Sequence, residues 1–332
     1  MSSFLTFAVA LAAVFLLTPL VRVLARRLGF VDRPAARKVH REPIPLGGGV
    51  ALAIGILAGV GAATLAGGAT LSPREAIAVL GGLVFVVLLG LWDDARPLPP
   101  LAKLSGQLIA AAGLVLGSGH PVPSALGGLG VPCAVIAAVA LMNACNFLDN
   151  MDGILGGIAL VCGLGFLLAA RGAAPAAAVL AAATAGAAAG FLAYNVHPAR
   201  IFLGDAGSHA IGFLLAAILL LTLPDAMPLR TGYALLLIIG YPLFDLAFVT
   251  VMRLRAGRPV WSPGKDHTTH RLNRLVQSPR WTAILVYGLA ATTAAAGVLV
   301  LRRPDPLALV VAAASLVLLL ALGVRLARVP AA

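Results

Sequence analysis

The chain has 332 residues, of which 61% are apolar and 11% are charged, and its mean hydropathy is +1.01. So little polar surface cannot cover a soluble globule, and the composition therefore excludes a soluble enzyme. The net charge of +12 does not indicate nucleic-acid binding, because the sequence contains no basic soluble module.

Apolar stretches of transmembrane length recur along the whole chain. A helix needs about 20 apolar residues to cross a bilayer, and the alternating polarity of transmembrane strands is absent. We therefore predict an all-α fold, a polytopic integral membrane helical bundle forming a single catalytic domain over residues 1–332. Eleven spans are expected, with ten as the alternative, at roughly 3–22, 47–66, 75–92, 101–117, 128–147, 154–170, 175–194, 208–223, 232–252, 281–301 and 306–324.

Basic residues set the predicted orientation. Most lysines and arginines fall on one side of the predicted bundle, and the positive-inside rule makes that side cytoplasmic. The N-terminus is then outside and the C-terminus inside a plasma (inner) membrane. The connections expected to form a site on the cytoplasmic side are 24–46, 93–100, 148–153, 195–207 and 253–280.

Asp93 and Asp94 are adjacent carboxylates at the end of an uninterrupted apolar run. Adjacent carboxylates repel unless a cation lies near them, and Mg²⁺ commonly takes one or two carboxylates together with substrate phosphates. Lys103 and Gln107 follow and share a helix face because they are four residues apart. The pair at this position favours a metal site.

Asn143, Asn146 and Asp149 recur every three residues near the end of the fifth predicted span, which places them on one helical face before Asp152. Such groups are costly in an apolar segment without partners. They fit a base, a ribose or a metal-bound phosphate, and hydrogen bonds between helices are the alternative.

Asp205 lies between two glycines in the string that runs from Asn195 through Phe202 to Ser208. The glycines let the backbone approach a ligand, and Ser208 or Asp205 is expected to cap the next helix, whose N-terminus favours anions.

The longest polar connection carries Asp266, His267 and His270 between Lys265 and Arg271. A zinc site would need more ligands, so the adjacent basic groups favour phosphate binding instead. Asp245, within the ninth span, is expected to face the bundle interior and to pair with an arginine or shape the site.

A basic loop precedes the second predicted span. Lys38 and His40 stand there before a glycine-rich helix start and are candidates for holding a phosphate. Ordinary topology-determining basic residues are the alternative interpretation.

Together these strings resemble the polyprenyl-phosphate N-acetylhexosamine-1-phosphate transferases of the glycosyltransferase family 4 type, from about residue 30 to residue 275 and in the same motif order. The resemblance implies transfer of a sugar 1-phosphate, foremost GlcNAc-1-phosphate, from a UDP-sugar to undecaprenyl or another polyprenyl phosphate, with release of UMP. Mg²⁺, or alternatively Mn²⁺, is the implied cofactor. The step would open a cell-envelope glycan pathway.

The resemblance also implies roles for individual residues. Asp205 matches the metal-coordinating aspartate, and Asp93 and Asp94 match the pair that lies near the metal and positions or deprotonates the lipid phosphate. His267 matches a histidine of the catalytic cytoplasmic motif. The implied substrate-binding residues are Lys38, His40, Asn143, Asn146, Asp149, Asp152, Asn195, Phe202, Asp266, His270 and Arg271.

The chemistry favours direct displacement over an aspartyl-phosphate intermediate. A phosphate monoester has a second pKa of about 6, so it needs little deprotonation at neutral pH. Mg²⁺, lysine and arginine would offset the repulsion between two polyanions.

Three positions depart from the family pattern. Thr269 stands at a middle histidine position, Asn150 where glycine is common, and Pro97 where some members carry a third acid. A string typical of the related phospho-MurNAc-pentapeptide transferases is missing, which favours a GlcNAc-type enzyme, although the hexosamine stays open. A secondary transporter is the alternative from another class, and membrane lipids and a homodimer are further expected or open partners.

Overall fold

The computed structural model describes residues 2–33, 42–68, 71–122, 124–224, 228–262, 264–303 and 305–330. Within these ranges the α-helices, in chain order, are α1 (Ser2–Arg27), α2 (Gly48–Leu65), α3 (Pro73–Ala76), α4 (Gly82–Ala95), α5 (Pro100–Gly117), α6 (Gly130–Leu148), α7 (Ile154–Ala170), α8 (Pro175–Asn195), α9 (Gly204–Thr222), α10 (Leu229–Ile238), α11 (Gly240–Arg255), α12 (Thr268–Val276), α13 (Pro279–Arg302) and α14 (Pro306–Ala327).

Three shorter elements complete the described chain. A π-helical turn at Ile77–Gly81 joins α3 to α4, and a 3₁₀ helix at Ser124–Leu129 precedes α6. Strands β1 (Val31–Asp32) and β2 (Ile44–Pro45) form a small antiparallel pair before α2.

The helices confirm the predicted membrane bundle. Among the described residues, nine helices are long and apolar enough to cross a bilayer, and the pair α10 and α11, bent by 79°, makes a tenth if it is one span. The helix α7 is also apolar but has 17 residues. All the predicted spans are therefore helical, and the protein is a multi-pass membrane protein.

Burial decreases from the centre of the bundle to its rim. In the apolar stretches of α8 and α9, 78% and 83% of the residues are buried. In those of α1 and α14, 22% are buried. Small side chains allow the close central packing: a Cβ at Gly49 of α2 would lie 2.3 Å from the backbone nitrogen of Gly207 in α9. This contact holds the start of α9 against α2.

Chain direction brings several helix ends to one side of the bundle. The helices α4, α6 and α8 end there, and α5, α7 and α9 begin there. The predicted polar connections lie between these ends, so the fold gathers them at one face of the membrane bundle.

Candidate active site

Two carboxylates from different helices converge on one ammonium group. Nζ of Lys103, in the first turn of α5, lies 2.7 Å from Oδ2 of Asp93 in the last turn of α4, and it also contacts Oδ2 of Asp205 at the start of α9. The three side chains are between 10% and 28% exposed. Two carboxylates face one ammonium group, so the cluster keeps a net negative charge at a partly open position where a cation can reach it.

Asn146 holds the second oxygen of Asp205. Its Nδ2 donates to Oδ1 of Asp205 at 2.7 Å and to the hydroxyl oxygen of Ser208 at 3.0 Å. The asparagine comes from α6, so three helices fix the orientation of one carboxylate.

Asp94 caps the first turn of α9. Its Oδ1 accepts from the backbone nitrogen of Asp205 at 2.8 Å, and its Oδ2 accepts from that of Ala206 at 3.2 Å. Gly204 makes this approach possible, because its φ is +70° and a Cβ there would lie 2.4 Å from Oδ2 of Asp94. A carboxylate at a helix N-terminus is favourable.

The predicted cap of α9 was wrong. No side chain from the start of α9 itself caps that helix, and the hydroxyl of Ser208 instead donates to the carbonyl of Asp205 at 3.4 Å. Sequence reasoning considers local caps first, whereas here a carboxylate 111 residues away in the chain takes the role. Asp93, Asp94 and Asp205 thus lie in helical turns and not in the connections where the sequence placed them.

Asp149 follows the last residue of α6 and is partly buried. Burial and, after it, the negative charges of Asp205, Asp94 and Asp152 together raise the pKa of its carboxyl to about 8. This sensitivity to three other carboxylates places Asp149 in the same acidic cluster. A cation at the cluster would favour its ionised form.

Asp152 and Asn195 join the turn after α6 to the connection before α9. Oδ2 of Asp152 lies 2.7 Å from Nδ1 of His197 and accepts from the backbone nitrogen of Ala199 at 3.0 Å. Asn195 accepts from the backbone nitrogen of Gly153 at 3.1 Å. These two predicted substrate-binding residues therefore bind other groups of the protein.

His267 is held by a buried carboxylate. Its Nδ1 lies 2.9 Å from Oδ2 of Asp245, whose Oδ1 accepts from the backbone nitrogen and the hydroxyl of Thr268 at 2.8 and 2.5 Å. Asp245 is fully buried, so it faces the bundle interior as predicted, and its partner is a histidine.

Aromatic contacts connect His267 with α6 and α12. The ring of Phe147 meets the His267 ring edge-on at 5.7 Å, and His270 meets it at 6.0 Å. Burial, together with the charges of His267 and Lys265, lowers the pKa of His270 to about 4. His270 is therefore neutral at pH 7 and offers hydrogen bonds without a positive charge.

The other polar residues of this connection bind protein groups. Asp266 pairs with Arg253 at 3.2 Å and with Arg258 at 3.1 Å. The guanidinium group of Arg271 donates to the carbonyl of Leu326 at 3.0 Å and to that of Val329. These contacts attach α12 to the ends of α11 and α14.

The two asparagines of the predicted polar face have different partners. Asn143 donates to Oε1 of Gln107 at 2.8 Å, one turn deeper than Asn146.

Phe202 is partly buried, and its carbonyl accepts from the backbone nitrogen of Gly48 at 3.0 Å. Lys38 and His40 lie outside the described residues.

Sequence reasoning missed one residue of this site, Lys103, and the partner of another, Asp245. Lys103 was noted only for sharing a helix face with Gln107, although a lysine just inside an apolar span was a usable signal. Asp245 was noticed for its burial, but its contact with His267 spans 22 residues and has no sequence signature.

No group of three or more His, Cys, Asp or Glu side chains in the described part of the chain has the geometry of a preformed metal site. Carboxylate oxygens of Asp93 and Asp205 nevertheless face one cationic nitrogen. Hard cations such as Mg²⁺ prefer oxygen ligands of this kind. Their approach to one positive group fits a divalent cation in that place.

The fold and the site together define a polytopic helical membrane protein with an acidic polar centre at one end of its bundle. Residues 76–223 match the model of glycosyl transferase family 4. The chain is 33% identical over 293 residues to a probable undecaprenyl-phosphate N-acetylglucosaminyl 1-phosphate transferase of Bacillus subtilis (strain 168), covering 85% of this chain and 80% of that protein.

Two further relatives agree. A decaprenyl-phosphate N-acetylglucosaminephosphotransferase of Mycobacterium tuberculosis (strain ATCC 25618 / H37Rv) is 33% identical over 316 residues, covering 84% of this chain and 78% of that protein. An undecaprenyl-phosphate alpha-N-acetylglucosaminyl 1-phosphate transferase of Escherichia coli (strain K12) is 31% identical over 322 residues, covering 89% and 84%. The chain belongs to glycosyl transferase family 4.

Proposed function

We propose that this protein transfers GlcNAc-1-phosphate from UDP-GlcNAc to a polyprenyl phosphate and releases UMP at the cytoplasmic face of the plasma membrane. The observation that carries the proposal is the convergence of Asp93 and Asp205 on Lys103, in a chain related over most of its length to GlcNAc-1-phosphate transferases. The alternative is the related transfer of phospho-MurNAc-pentapeptide, which differs in the sugar nucleotide that serves as donor.

Mg²⁺ is the proposed cofactor, with Asp93 and Asp205 as its ligands and Asp94 beside them. When bound, the ion would neutralise charge on the diphosphate and stabilise the charge that builds on the departing nucleotide. Because both oxygens of Asp94 already accept backbone hydrogen bonds, its first task is to hold Asp205 in position.

The residues of the chain bring two polyanions together. One oxygen of the polyprenyl phosphate attacks the β-phosphorus of the UDP-sugar, and the bond to the bridging oxygen breaks, with its electron pair leaving on UMP. Lys103 supplies positive charge beside the reacting phosphates, which Asp93 orients. His267, held through Nδ1 by Asp245, would donate from Nε2–H to a diphosphate oxygen when its ring is protonated.

Direct transfer needs no covalent enzyme intermediate. The second pKa of a phosphate monoester is about 6, so the attacking group is already ionised at neutral pH. Asp149 and the neutral His270 are the further polar side chains proposed to face the donor. The negative charges of Asp205 and Asp94 raise the pKa of Asp149, so its carboxyl group lies near theirs.

UMP release tests the proposal. Purified protein with UDP-GlcNAc, undecaprenyl phosphate and Mg²⁺ should release UMP, and omission of the acceptor or the ion should stop release. Asp205→Asn should lose nearly all activity, whereas Asp305→Asn, which keeps a capping oxygen at the start of α14, should retain it. Release from UDP-MurNAc-pentapeptide but not UDP-GlcNAc would overturn the proposed donor, and full turnover by Asp205→Asn would refute its role.

A further inference from the structure

A second polar layer lies one helical turn deeper in the bundle than the contact between Lys103 and Asp205. Gln107 follows Lys103 by four residues on α5, and His209 follows Asp205 by four residues on α9. Residues four apart lie on the same face of a helix, about one turn from each other. Because α5 and α9 both begin at the site end of the bundle, Gln107 and His209 lie at the same depth.

The hydrogen bonds of Asn143 fix which way the Gln107 amide points. Nδ2 of Asn143 donates to the carbonyl of Val139 at 2.9 Å and to Oε1 of Gln107 at 2.8 Å. A backbone carbonyl can only accept, so Asn143 presents its NH₂ group and Gln107 must present its oxygen. Nε2 of Gln107 is therefore a donor, and it is buried with no partner among the described residues.

His209 has the complementary orphan atom. Its Nδ1 lies 2.6 Å from the carbonyl of Asp205, and it must carry a proton because that carbonyl only accepts. The neutral ring then has a lone pair on Nε2. This acceptor is also buried and unpartnered among the described residues, and both His209 and Gln107 are 1% exposed.

We propose that Gln107 and His209 bind one water molecule between α5 and α9. The water accepts a hydrogen bond from Nε2 of Gln107 and donates one to Nε2 of His209. A molecule that both donates and accepts satisfies the two atoms together, whereas each alone would carry the cost of an unmade buried hydrogen bond. The water ties α5 to α9 directly beneath Lys103 and Asp205, and because it needs no substrate the site is independent of the proposed function.

An experimental structure at a resolution that shows ordered water tests the site directly. The expected density peak lies within hydrogen-bonding distance of both Nε2 atoms and is absent in His209→Asn, which keeps a donor for the Asp205 carbonyl but removes Nε2. A direct hydrogen bond between Gln107 and His209, or no peak near either atom, would overturn the proposal.

A double-mutant cycle on the thermal midpoint of the detergent-solubilised protein provides a second test. Gln107→Leu and His209→Asn should each lower the midpoint by several degrees, because each leaves the other partner unsatisfied. The double variant should be no less stable than the worse single variant. The control pairs Gln107→Leu with Thr184→Val, which removes a buried hydroxyl in α8, and these two losses should add. Additive losses for Gln107→Leu and His209→Asn would reject a shared water.

Discussion

Asp245 of α11 accepts a hydrogen bond from Nδ1 of His267 at 2.9 Å, although the two residues are separated by the whole polar connection before α12. The carboxylate is fully buried, and Thr268 satisfies its other oxygen. The contact fixes the orientation of the imidazole ring and places a proton on Nδ1, so that Nε2 is the nitrogen that faces a ligand.

We therefore predict that Asp245→Asn lowers kcat for UMP release by about 10- to 100-fold, as expected for loss of a partner that orients a functional histidine. The asparagine still accepts from Thr268 but presents an NH₂ group to His267, so Nδ1 loses the acceptor and the negative charge that hold the ring. Asp305→Asn is the matched control. An unchanged kcat in Asp245→Asn would show that the contact does not serve the reaction.

Lys103 occupies the position between two carboxylates where a divalent cation is proposed to bind. Replacing it by methionine removes a competing positive charge, so half-maximal thermal stabilisation by Mg²⁺ should occur at a lower concentration than in the wild type. Turnover should fall at least about 10-fold, because the charge that offsets two polyanions is lost.

Lys265→Met is the control for this experiment, since it removes a lysine from the same side of the protein outside the carboxylate pair. It should leave the Mg²⁺ concentration dependence unchanged. A weaker response to Mg²⁺ in Lys103→Met would mean that the lysine supports cation binding instead of competing with it.

Asp149 should make stability depend on pH. Its folded-state pKa of about 8 is raised above the ordinary value of 3.8. Its stabilising contribution to the free energy of unfolding is therefore present at low pH and is lost as pH rises toward 8. In EDTA, the free energy of unfolding should fall by about 1 kcal/mol per pH unit between pH 5 and 8 from this group. Thermal unfolding at several pH values should show a flatter dependence for Asp149→Asn, and identical profiles would contradict the raised pKa.

Asn150 and Thr269 occupy two of the positions that depart from the family pattern, and they are bonded to each other. The hydroxyl of Thr269 donates to Oδ1 of Asn150 at 2.8 Å, joining the turn after α6 to the start of α12. In a double-mutant cycle, Asn150→Ala and Thr269→Val should show a coupling of about 0.5–1.5 kcal/mol in the free energy of unfolding.

The same pair predicts a compensating exchange. A histidine at position 269 needs the space of the Asn150 side chain, so Thr269→His alone should reduce UMP release more than Thr269→His combined with Asn150→Gly. Equal activity of these two variants would show that the two positions are independent.

The sequence by itself determined the class of fold and indicated that the polar groups collect at one face of the bundle. Apolar stretches of bilayer length can satisfy their backbone only as helices, so composition and length predicted the bundle. Because consecutive spans alternate in direction, the ends that carry Asp93, Asp149 and Asp205 had to share one face, and the motif order indicated the family.

Only the tertiary structure decided which polar group meets which. The contacts between Lys103 and Asp205, Asp94 and the start of α9, and Asp245 and His267 join residues 102, 111 and 22 positions apart. Helical periodicity determines the face on which a side chain lies, but it does not specify the neighbouring helix or the rotation about its axis. Those are set by close packing at small residues such as Gly49 and Gly204, which places each polar side chain beside its partner.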